Sequence, residues 1–465
     1  MAREPEQQSM ADALAKHRER KGTTLAPGQG EQVQEGSLFS PPKDNAASMG
    51  PDYGYSRMRL HKSDTLSAYT AQQDQRYALD PRLKKTIVMG IATLCVFLLV
   101  CVLPNGFLNP TIVNTDFAWF TNKLAGNVGE IFQLLTTGTS QGTYHVVIFT
   151  AIVTAFVGAG LGACGACYQG ALKNAMASPT TLGIMSGGTV GSVIYVLLNY
   201  SPTENTTDYS IVSLGDIGAS LNNVDVLTYI QIFFGQALCS LAGCFIVVGI
   251  VVSIAMIAGR GKVSNTALVI AGTVISSVAS AVIQLVRYYL TIVAPQSDAL
   301  SAITDLQNGS AATFTTGIGV LLVVVPITLC LVALFFLRHR LNILTFSDEE
   351  ARSMGINTRR TRNLMVAVCT VMTAVVVSFY GMVGMVGFMV PLIARRIVGS
   401  DARYVIPAAM LAGACFMLIT YYVSTLGIMA LGSGKGLGMF TSILGAIVFV
   451  VTIIKQRGRR NIDWN

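Results

Sequence analysis

The sequence predicts an all-α polytopic membrane protein with about ten transmembrane helices. Of its 465 residues, 52% are hydrophobic and only 12% are charged, which is too few for a surface covered by water. The apolar residues are gathered in runs of about 20, the length at which a helix spans a bilayer. Short alternating segments, which are typical of membrane β-barrels, are not seen. A helical bundle solvated by lipid is therefore the predicted architecture.

Ten apolar runs give the predicted spans in chain order. They cover residues 84–104, 145–170, 180–199, 229–257, 264–292, 314–337, 361–382, 384–399, 404–427 and 436–454. The run at 384–399 is the one that falls short of a full span. Residues 1–80 precede them and are polar, with many Gln, Ser, Gly and Pro. Such a segment cannot bury enough apolar surface to offset the entropy lost on ordering, so 1–80 is predicted to be a disordered tail and 81–460 the transmembrane domain.

Lysine and arginine positions predict the orientation of the spans, because positive charge is retained in short cytoplasmic loops. Basic residues precede the first predicted span and follow the second, fourth, sixth, eighth and last spans. The stretch from 200 to 228 instead holds four acidic residues and no Lys or Arg. Both termini are therefore predicted to be cytoplasmic. The net charge of +8 follows from this topology and gives no reason to infer nucleic-acid binding.

Motifs for catalysis are missing from the sequence. There is no GxxxxGK[ST] phosphate loop, and the similar stretch Leu431–Gly438 has the wrong spacing. HExxH and G-x-S-x-G are also absent. Cys164 and Cys167 form a CxxC pair, but they lie in an apolar run without a second pair or a His nearby, so no metal site is predicted. The chain is predicted not to be an enzyme, and energy for transport would come from another subunit.

The segment Phe346–Asn357, FSDEEARSMGIN, predicts a short helix outside the bilayer near residues 347–356. Ser347 or Asp348 can cap its start, acidic residues suit the first turn, and glycine suits the end. A soluble motor would need such a rigid contact surface, although a plain surface helix is the alternative. The candidate ATPase-coupling residues are Asp348, Glu349, Glu350, Ala351, Arg352 and Gly355.

The fifth predicted span carries polar residues at alternating spacings of four and three, which places them on one helix face. This face is the candidate translocation path and consists of Thr273, Ser277, Ser280, Gln284 and Arg287. Arg287 is expected near the outer mouth, because an arginine at mid-membrane is costly. The alternative is that the hydroxyl groups only bond backbone carbonyls or join helices.

The stretch Asn174–Gly188, NAMASPTTLGIMSGG, joins the second and third predicted spans. Pro179 suits the first position of a new helix, where a missing amide is tolerated. The stretch is predicted to be an architectural turn at the inner end of the pathway, with Asn174, Pro179, Gly183, Ser186 and Gly187 as its main residues.

These blocks resemble the FecCD family, the permeases of ABC importers for iron-siderophores, haem and cobalamin. The family pattern of Gln, Asn-Pro-Leu-Ala, Pro, Leu-Gly and Ser-Gly is matched by Gln169, Asn174, Ala177, Pro179, Leu182, Gly183, Ser186 and Gly187. The glycine-rich run Gly381–Pro407 and the segment Phe346–Asn357 resemble further family blocks, and matches in order extend from about residue 84 to 455. The resemblance implies a cobalamin-importer-like permease fold with ten spans. It also implies that the fifth and last spans line the pore.

By this resemblance the chain is expected to be the plasma-membrane permease of an ATP-driven importer of a metal chelate, working by alternating access. Iron-siderophore is the expected cargo, with haem or cobalamin as the alternative. The implied partners are ABC ATPase subunits, an extracytoplasmic substrate-binding protein and a second permease copy or paralogue, besides the lipid bilayer. The partner ATPases would bind ATP and Mg²⁺, and no cofactor is expected in this chain. An ion-coupled secondary transporter and a membrane scaffold are the rival classes.

The sequence departs from the family at the outer surface. Family arginines that dock the binding protein align here with Val147, Thr150 and Thr425, and the usual histidine after Pro391 is Leu392. The family's docking site therefore cannot be transferred to this chain.

Overall fold

The computed structural model describes residues 80–102, 144–199, 226–259, 265–295, 297–309, 317–431 and 436–457. In these ranges all regular elements are α-helices, twelve in number, which confirms the predicted fold class. In chain order they are α1 (Pro81–Val102), α2 (Tyr144–Ala171), α3 (Ile184–Leu198), α4 (Val226–Ala258), α5 (Asn265–Val293), α6 (Asp298–Asn308), α7 (Gly317–Ile343), α8 (Asp348–Ser353), α9 (Thr358–Tyr380), α10 (Val386–Val398), α11 (Ala402–Leu431) and α12 (Leu437–Arg457). The predicted tail, 1–80, lies outside the described residues except for Asp80.

Each of the ten predicted spans corresponds to a helix, and α8 forms where the extramembrane helix was predicted. Among the described helices, seven are long and apolar enough to cross a membrane: α1, α2, α4, α5, α7, α9 and α11. Helices α3 and α12 are shorter apolar helices. Helix α6 is an element that the spans did not predict.

Helix α10 is too short to cross a bilayer alone. Its 13 residues correspond to about 20 Å of helix, against about 30 Å of hydrocarbon. It begins after Met385, which has a φ of 65°. The amide of Gln169 on α2 donates to the carbonyl of Phe388 in its first turn, at 3.1 Å. The predicted run at 384–399 is therefore a helix packed within the protein and not a complete span.

Helix α2 lies at the centre of the core and packs against α7, α9, α10 and α11. Tyr168 is fully buried, and its hydroxyl lies 3.2 Å from that of Thr370 on α9. Thr154 and Tyr380 make a second hydroxyl pair between the same helices, at 2.6 Å. Because lipid supplies no partner for such groups, these hydrogen bonds fix how α2 and α9 face each other.

Glycine permits a close contact between α2 and α10. A Cβ built on Gly165 would collide with the carbonyl oxygen of Gly387 and lie 2.8 Å from Pro391 Cγ. No residue larger than glycine fits at this position without moving α10, so Gly165 sets the distance between the two helices.

Large apolar side chains cover much of the outer surface. Ile257 on α4 is 80% exposed and Phe336 on α7 is 75% exposed, and α1, α5 and α12 carry similar residues. Such faces are unfavourable in water but suit lipid or another membrane subunit. The bundle therefore has the surface expected of a multi-pass membrane protein.

A polar cluster joins the start of α1 to the end of α7 and the start of α11. Asn342 Nδ2 donates to Asp401 Oδ1 at 2.6 Å, and Tyr404 donates its hydroxyl proton to Asp80 at 2.7 Å. Arg82 lies 3.9 Å from Asp401. The Tyr404 hydrogen bond, followed by the backbone N–H and charge of Arg82, lowers the pKa of Asp80. Burial opposes ionisation of Asp401, but its hydrogen bond from Asn342 and the neighbouring arginines lower its pKa on balance.

Candidate functional site

The polar face predicted on α5 is present on a continuous helix. Thr273, Ser277 and Gln284 are exposed, whereas Ser280 and Arg287 are partly buried. The hydroxyl of Thr273 donates to the carbonyl of Ile270 at 2.9 Å, and that of Ser277 donates to the carbonyl of Thr273 at 3.0 Å. These two bonds agree with the alternative interpretation, in which the hydroxyl groups only bond backbone carbonyls of their own helix. The side chains of Ser280 and Gln284 make no hydrogen bond with any described residue, so their polar groups remain available on this face.

Helix α6 lies against the end of α5 that carries Arg287. Arg287 Nη1 donates to Gln307 Oε1 at 3.2 Å. An apolar cluster also joins α6 to α3 and α5. It consists of Val193, Val196, Ile283, Leu290, Ala299, Ala302, Ile303 and Leu306. Gln307 is thus a neighbour of the predicted path that the sequence reading missed.

The sequence does contain the signals for α6. Ser297 caps its start and accepts a hydrogen bond from the backbone of Leu300 at 3.3 Å, and Gly309 follows its end with a φ of 66°. Its buried residues recur at spacings of three and four, as in an amphipathic helix. Helix α6 has 11 residues, about half the length of a span, so the criterion of apolar runs of about 20 residues does not predict it.

The C-terminal end of α6 is bonded to two further segments. The backbone N–H of Met382, just after α9, donates to the carbonyl of Leu306 at 2.9 Å, and Gly438 at the start of α12 donates to that of Gly309 at 2.8 Å. Helix α6 therefore connects the polar face of α5 to the start of α12, the other helix that the family resemblance assigns to the pore.

The backbone forms a turn where the architectural turn is predicted, but the helix after it starts later than expected. Pro179 lies in a turn, and α3 begins at Ile184. Gly183 has a φ of 72°, which interrupts the helical backbone just before α3. Thr181 stabilises the turn, since its hydroxyl accepts from the N–H of Ser178 at 2.9 Å and donates to the carbonyl of Met176 at 2.8 Å. Asn174 accepts the Met176 N–H through its side chain at 2.9 Å.

The turn is in direct contact with α5. A Cβ on Gly183 would lie 2.9 Å from the carbonyl oxygen of Gly272, which leaves room for glycine alone. Ser186 donates its hydroxyl proton to the Gly183 carbonyl at 2.8 Å and lies 3.3 Å from the hydroxyl of Ser276. Gly187, the next residue of α3, packs against Val247 of α4. The turn is therefore packed against the two helices α4 and α5 near the first residue of the polar face.

Helix α8 is held by reciprocal capping. Ser347 Oγ accepts from the N–H of Glu350 at 3.3 Å, and the Glu350 carboxylate accepts from the N–H of Ser347 at 3.0 Å. At the other end, Gly355 has a φ of 79° and donates to the carbonyl of Arg352 at 2.9 Å, while Ile356 donates to that of Ala351 at 3.1 Å. This pair of bonds is a Schellman motif. A six-residue helix depends on such caps because it is too short to be stable alone.

Most of the candidate coupling residues are available to a partner. Glu349, Glu350, Arg352 and Gly355 are exposed, whereas Ala351 is buried and anchors the helix. Phe346 and Met354, which flank α8, each have about half of their surface exposed. An exposed, rigid helix between apolar side chains is a suitable docking element for a soluble protein.

Lys173 connects α8 to the turn. Its ammonium group donates to the carbonyl of Phe346 at 2.6 Å, immediately before the cap of α8, and its backbone has a φ of 49°. A continuous set of contacts therefore runs from α8 through Lys173 and the turn to α5. No group of three or more His, Cys, Asp or Glu residues that could hold a metal ion occurs in the part of the chain that the structure describes.

Comparison with known proteins shows the family of this chain. The profile of the FecCD transport family matches residues 111–455, and so begins after α1 and later than the residue 84 suggested by the resemblance. An ABC transporter permease protein of Methanocaldococcus jannaschii is 30% identical over 315 residues, which is 67% of this chain and 80% of the relative. The vitamin B12 import system permease protein of Escherichia coli is 25% identical over 339 residues, 73% of this chain and 87% of the relative.

Other relatives are named for iron chelatin transport in Helicobacter pylori, hemin transport in Yersinia pestis and molybdate import in Haemophilus influenzae. A solved structure described as an inward-facing conformation of an ABC transporter of the metal-chelate type has the same fold, with a TM-score of 0.58, 20% identity and coverage of 80% of this chain and 99% of the other. As in other permeases of this kind, ATP is bound and hydrolysed by a partner ATPase, a binding protein is a further partner, and the permease carries no cofactor. The chain belongs to the FecCD transport family, as the multi-pass permease subunit of an ABC importer.

Proposed function

We propose that this permease imports an iron-siderophore chelate by alternating access, with haem or cobalamin as the alternative cargo. The proposal is supported by relatives named for iron chelatin, hemin and vitamin B12 transport, all of which are metal chelates. A relative named for molybdate import extends the range of cargo in the family. A bulky chelate needs a wide pathway, which a pair of permease subunits provides more readily than one helical bundle.

The second subunit is proposed to be another copy of the chain or a paralogue. The face of α5 beside the polar residues is strongly apolar and exposed, with Val278 and Leu285 as examples. A second subunit packed on this face would enclose the polar residues between the two chains. We propose that the complex lies in the plasma membrane with both termini cytoplasmic. The orientation is supported by the Lys and Arg residues at the ends of the helices that the positive-inside rule assigns to the cytoplasm.

The proposed transport cycle uses the contacts that lead from α8 through the turn to α5. A binding protein delivers the chelate outside, and ATP closes the partner ATPases inside. Closure moves α8, and the movement reaches α5 through Lys173 and the turn at Asn174–Gly188. The observation that carries this proposal is the unbroken set of contacts from the Lys173–Phe346 hydrogen bond to the Ser186–Ser276 pair. Two alternative arrangements of these segments would expose the polar face first to the outer side of the membrane and then to the cytoplasmic side.

The cargo is tested by uptake in cells that lack the chain's gene. Cells with and without the restored gene are supplied with ⁵⁵Fe-siderophore, labelled haem or labelled cyanocobalamin. Restoration of ⁵⁵Fe-siderophore uptake alone is the expected result. Restoration of haem or cobalamin uptake instead would select the alternative, and no change for any chelate would contradict import of metal chelates.

The pathway is tested by closing the polar face. Replacing Ser280 and Gln284 together by leucine should abolish uptake while the amount of protein in the membrane stays unchanged. The matched control replaces two exposed valines outside α5, Val88 on α1 and Val325 on α7, by leucine and should retain uptake. If the polar-face variant transports as well as the control, α5 does not line the path.

A further inference from the structure

Arg287 occupies an unusual place among the charged residues. The Lys and Arg residues of α1, α7, α9, α10, α11 and α12 lie at the ends of these helices that are predicted to be cytoplasmic. Arg287 lies in the opposite half of α5. It is eight residues from the middle of this 29-residue helix, or about 12 Å along the axis. If the middle of α5 lies at the centre of the bilayer, Arg287 is just inside the outer edge of the hydrocarbon, which extends about 15 Å from the centre.

No described residue makes an ion pair with Arg287. Its bonding partner among the described residues is the neutral amide of Gln307, at 3.2 Å. An amide oxygen orients a guanidinium group without cancelling its charge. The guanidinium is a planar fork with five N–H donors, and those that make no hydrogen bond with a described residue suit carboxylate or other anionic oxygens.

Arg287 lies on the same face of α5 as the polar residues. Arg287 continues the row of Ser280 and Gln284 at the same spacing, and it is only partly buried. A charged group at this depth requires water or polar partners, which the polar face and Gln307 supply. Arg287 therefore gives the row of polar residues a positive end.

We propose that Arg287, oriented by Gln307, selects anionic chelates at the mouth of the pathway. This inference rests on the proposed function of the polar face of α5 and adds the charge class of its cargo. A positive group at the entrance raises the local concentration of anions and lowers that of cations. Neutral chelates would gain nothing from it.

The test measures local potential with small reagents and so requires no knowledge of the cargo. The substitution Gln284→Cys is made in the full chain, expressed in cell membranes. The reaction rates of the introduced thiol with a negatively and a positively charged methanethiosulfonate are compared, after subtraction of the rates for the chain without this substitution. With Arg287 present, the anionic reagent should be favoured. Replacing Arg287 by glutamine should lower the anion-to-cation rate ratio about five- to tenfold, as expected for a unit charge roughly 7 Å away in a mostly aqueous mouth.

Two further variants separate charge from shape. Arg287→Lys retains the charge and should keep the rate ratio. Gln307→Glu leaves Arg287 intact but places a carboxylate at the position of the amide oxygen, so the ratio should fall as it does for Arg287→Gln.

The outcomes distinguish this inference from the proposal beneath it. If the introduced thiol reacts but Arg287→Gln, at equal abundance, leaves the rate ratio unchanged, anion selection is wrong and the pathway stands. If neither reagent reaches the introduced thiol in any variant, the pathway on α5 is wrong, and the selection role falls with it.

Discussion

The caps of α8 offer the sharpest test of the coupling role proposed for this helix. Ser347→Ala removes the side-chain oxygen that accepts the Glu350 N–H, and Gly355→Ala places a Cβ on a residue with a φ of 79°. The Gly355 Cβ would meet no atom within 4 Å. Its effect is therefore confined to the backbone conformation and does not include a clash with a neighbour.

The magnitude follows from these two losses. Removing an N-terminal cap costs about 1 kcal/mol, and holding alanine in the left-handed region costs about 1 kcal/mol more. The double variant should therefore shift the local folding equilibrium of α8 by about 2 kcal/mol, or roughly 30-fold. Because the helix has only six residues, little else opposes its loss.

The assay is ATP-dependent uptake by the permease together with its ATPase, in reconstituted vesicles. Uptake should fall severalfold or more in the double variant, while the amount of permease in the membrane stays the same. Ser353→Ala is the matched control, because it removes a hydroxyl that donates to the Glu350 carbonyl at 2.7 Å and leaves both caps intact. Wild-type uptake by the double variant would show that an ordered α8 is not needed for coupling.

Two further predictions concern stability and are measured by thermal unfolding of the purified chain in detergent. Gly165→Ala should destabilise the protein by about 1–3 kcal/mol, because the added Cβ collides with Gly387. The control, Gly249→Ala, should be neutral or stabilising, because its Cβ meets no atom within 4 Å. Equal melting temperatures for the two variants would contradict the tight packing of α2 on α10. Asp401 has a lowered pKa, so its stabilising effect should be complete above about pH 4, its unfolded pKa, and should be lost as the pH falls through the lower folded value. Wild-type stability should then decrease more steeply below about pH 4 than that of Asp401→Asn, and parallel curves would exclude this contribution.

The sequence was sufficient for the spanning helices because apolar runs of this length have few other stable arrangements. It was also sufficient for α8, where Ser347 and Gly355 are local capping signals whose partners are only a few residues away. In both cases the physical cause lies within one short segment.

The errors come from interactions between distant segments or from single backbone conformations. The start of α3 is delayed by the left-handed Gly183, which a proline-based rule does not anticipate. The amphipathic helix α6 becomes evident only where its apolar side packs on α3 and α5. The Lys173–Phe346 hydrogen bond joins residues 173 positions apart, and no local pattern predicts it.

The most direct test of the account is reconstitution of the purified permease with and without its ATPase, followed by measurement of chelate accumulation against a gradient. We expect accumulation only with the ATPase and ATP present, and its loss when Ser347 and Gly355 are both replaced by alanine. Uphill accumulation by the permease alone would contradict the claim that this chain is a pathway driven through α8 by another subunit.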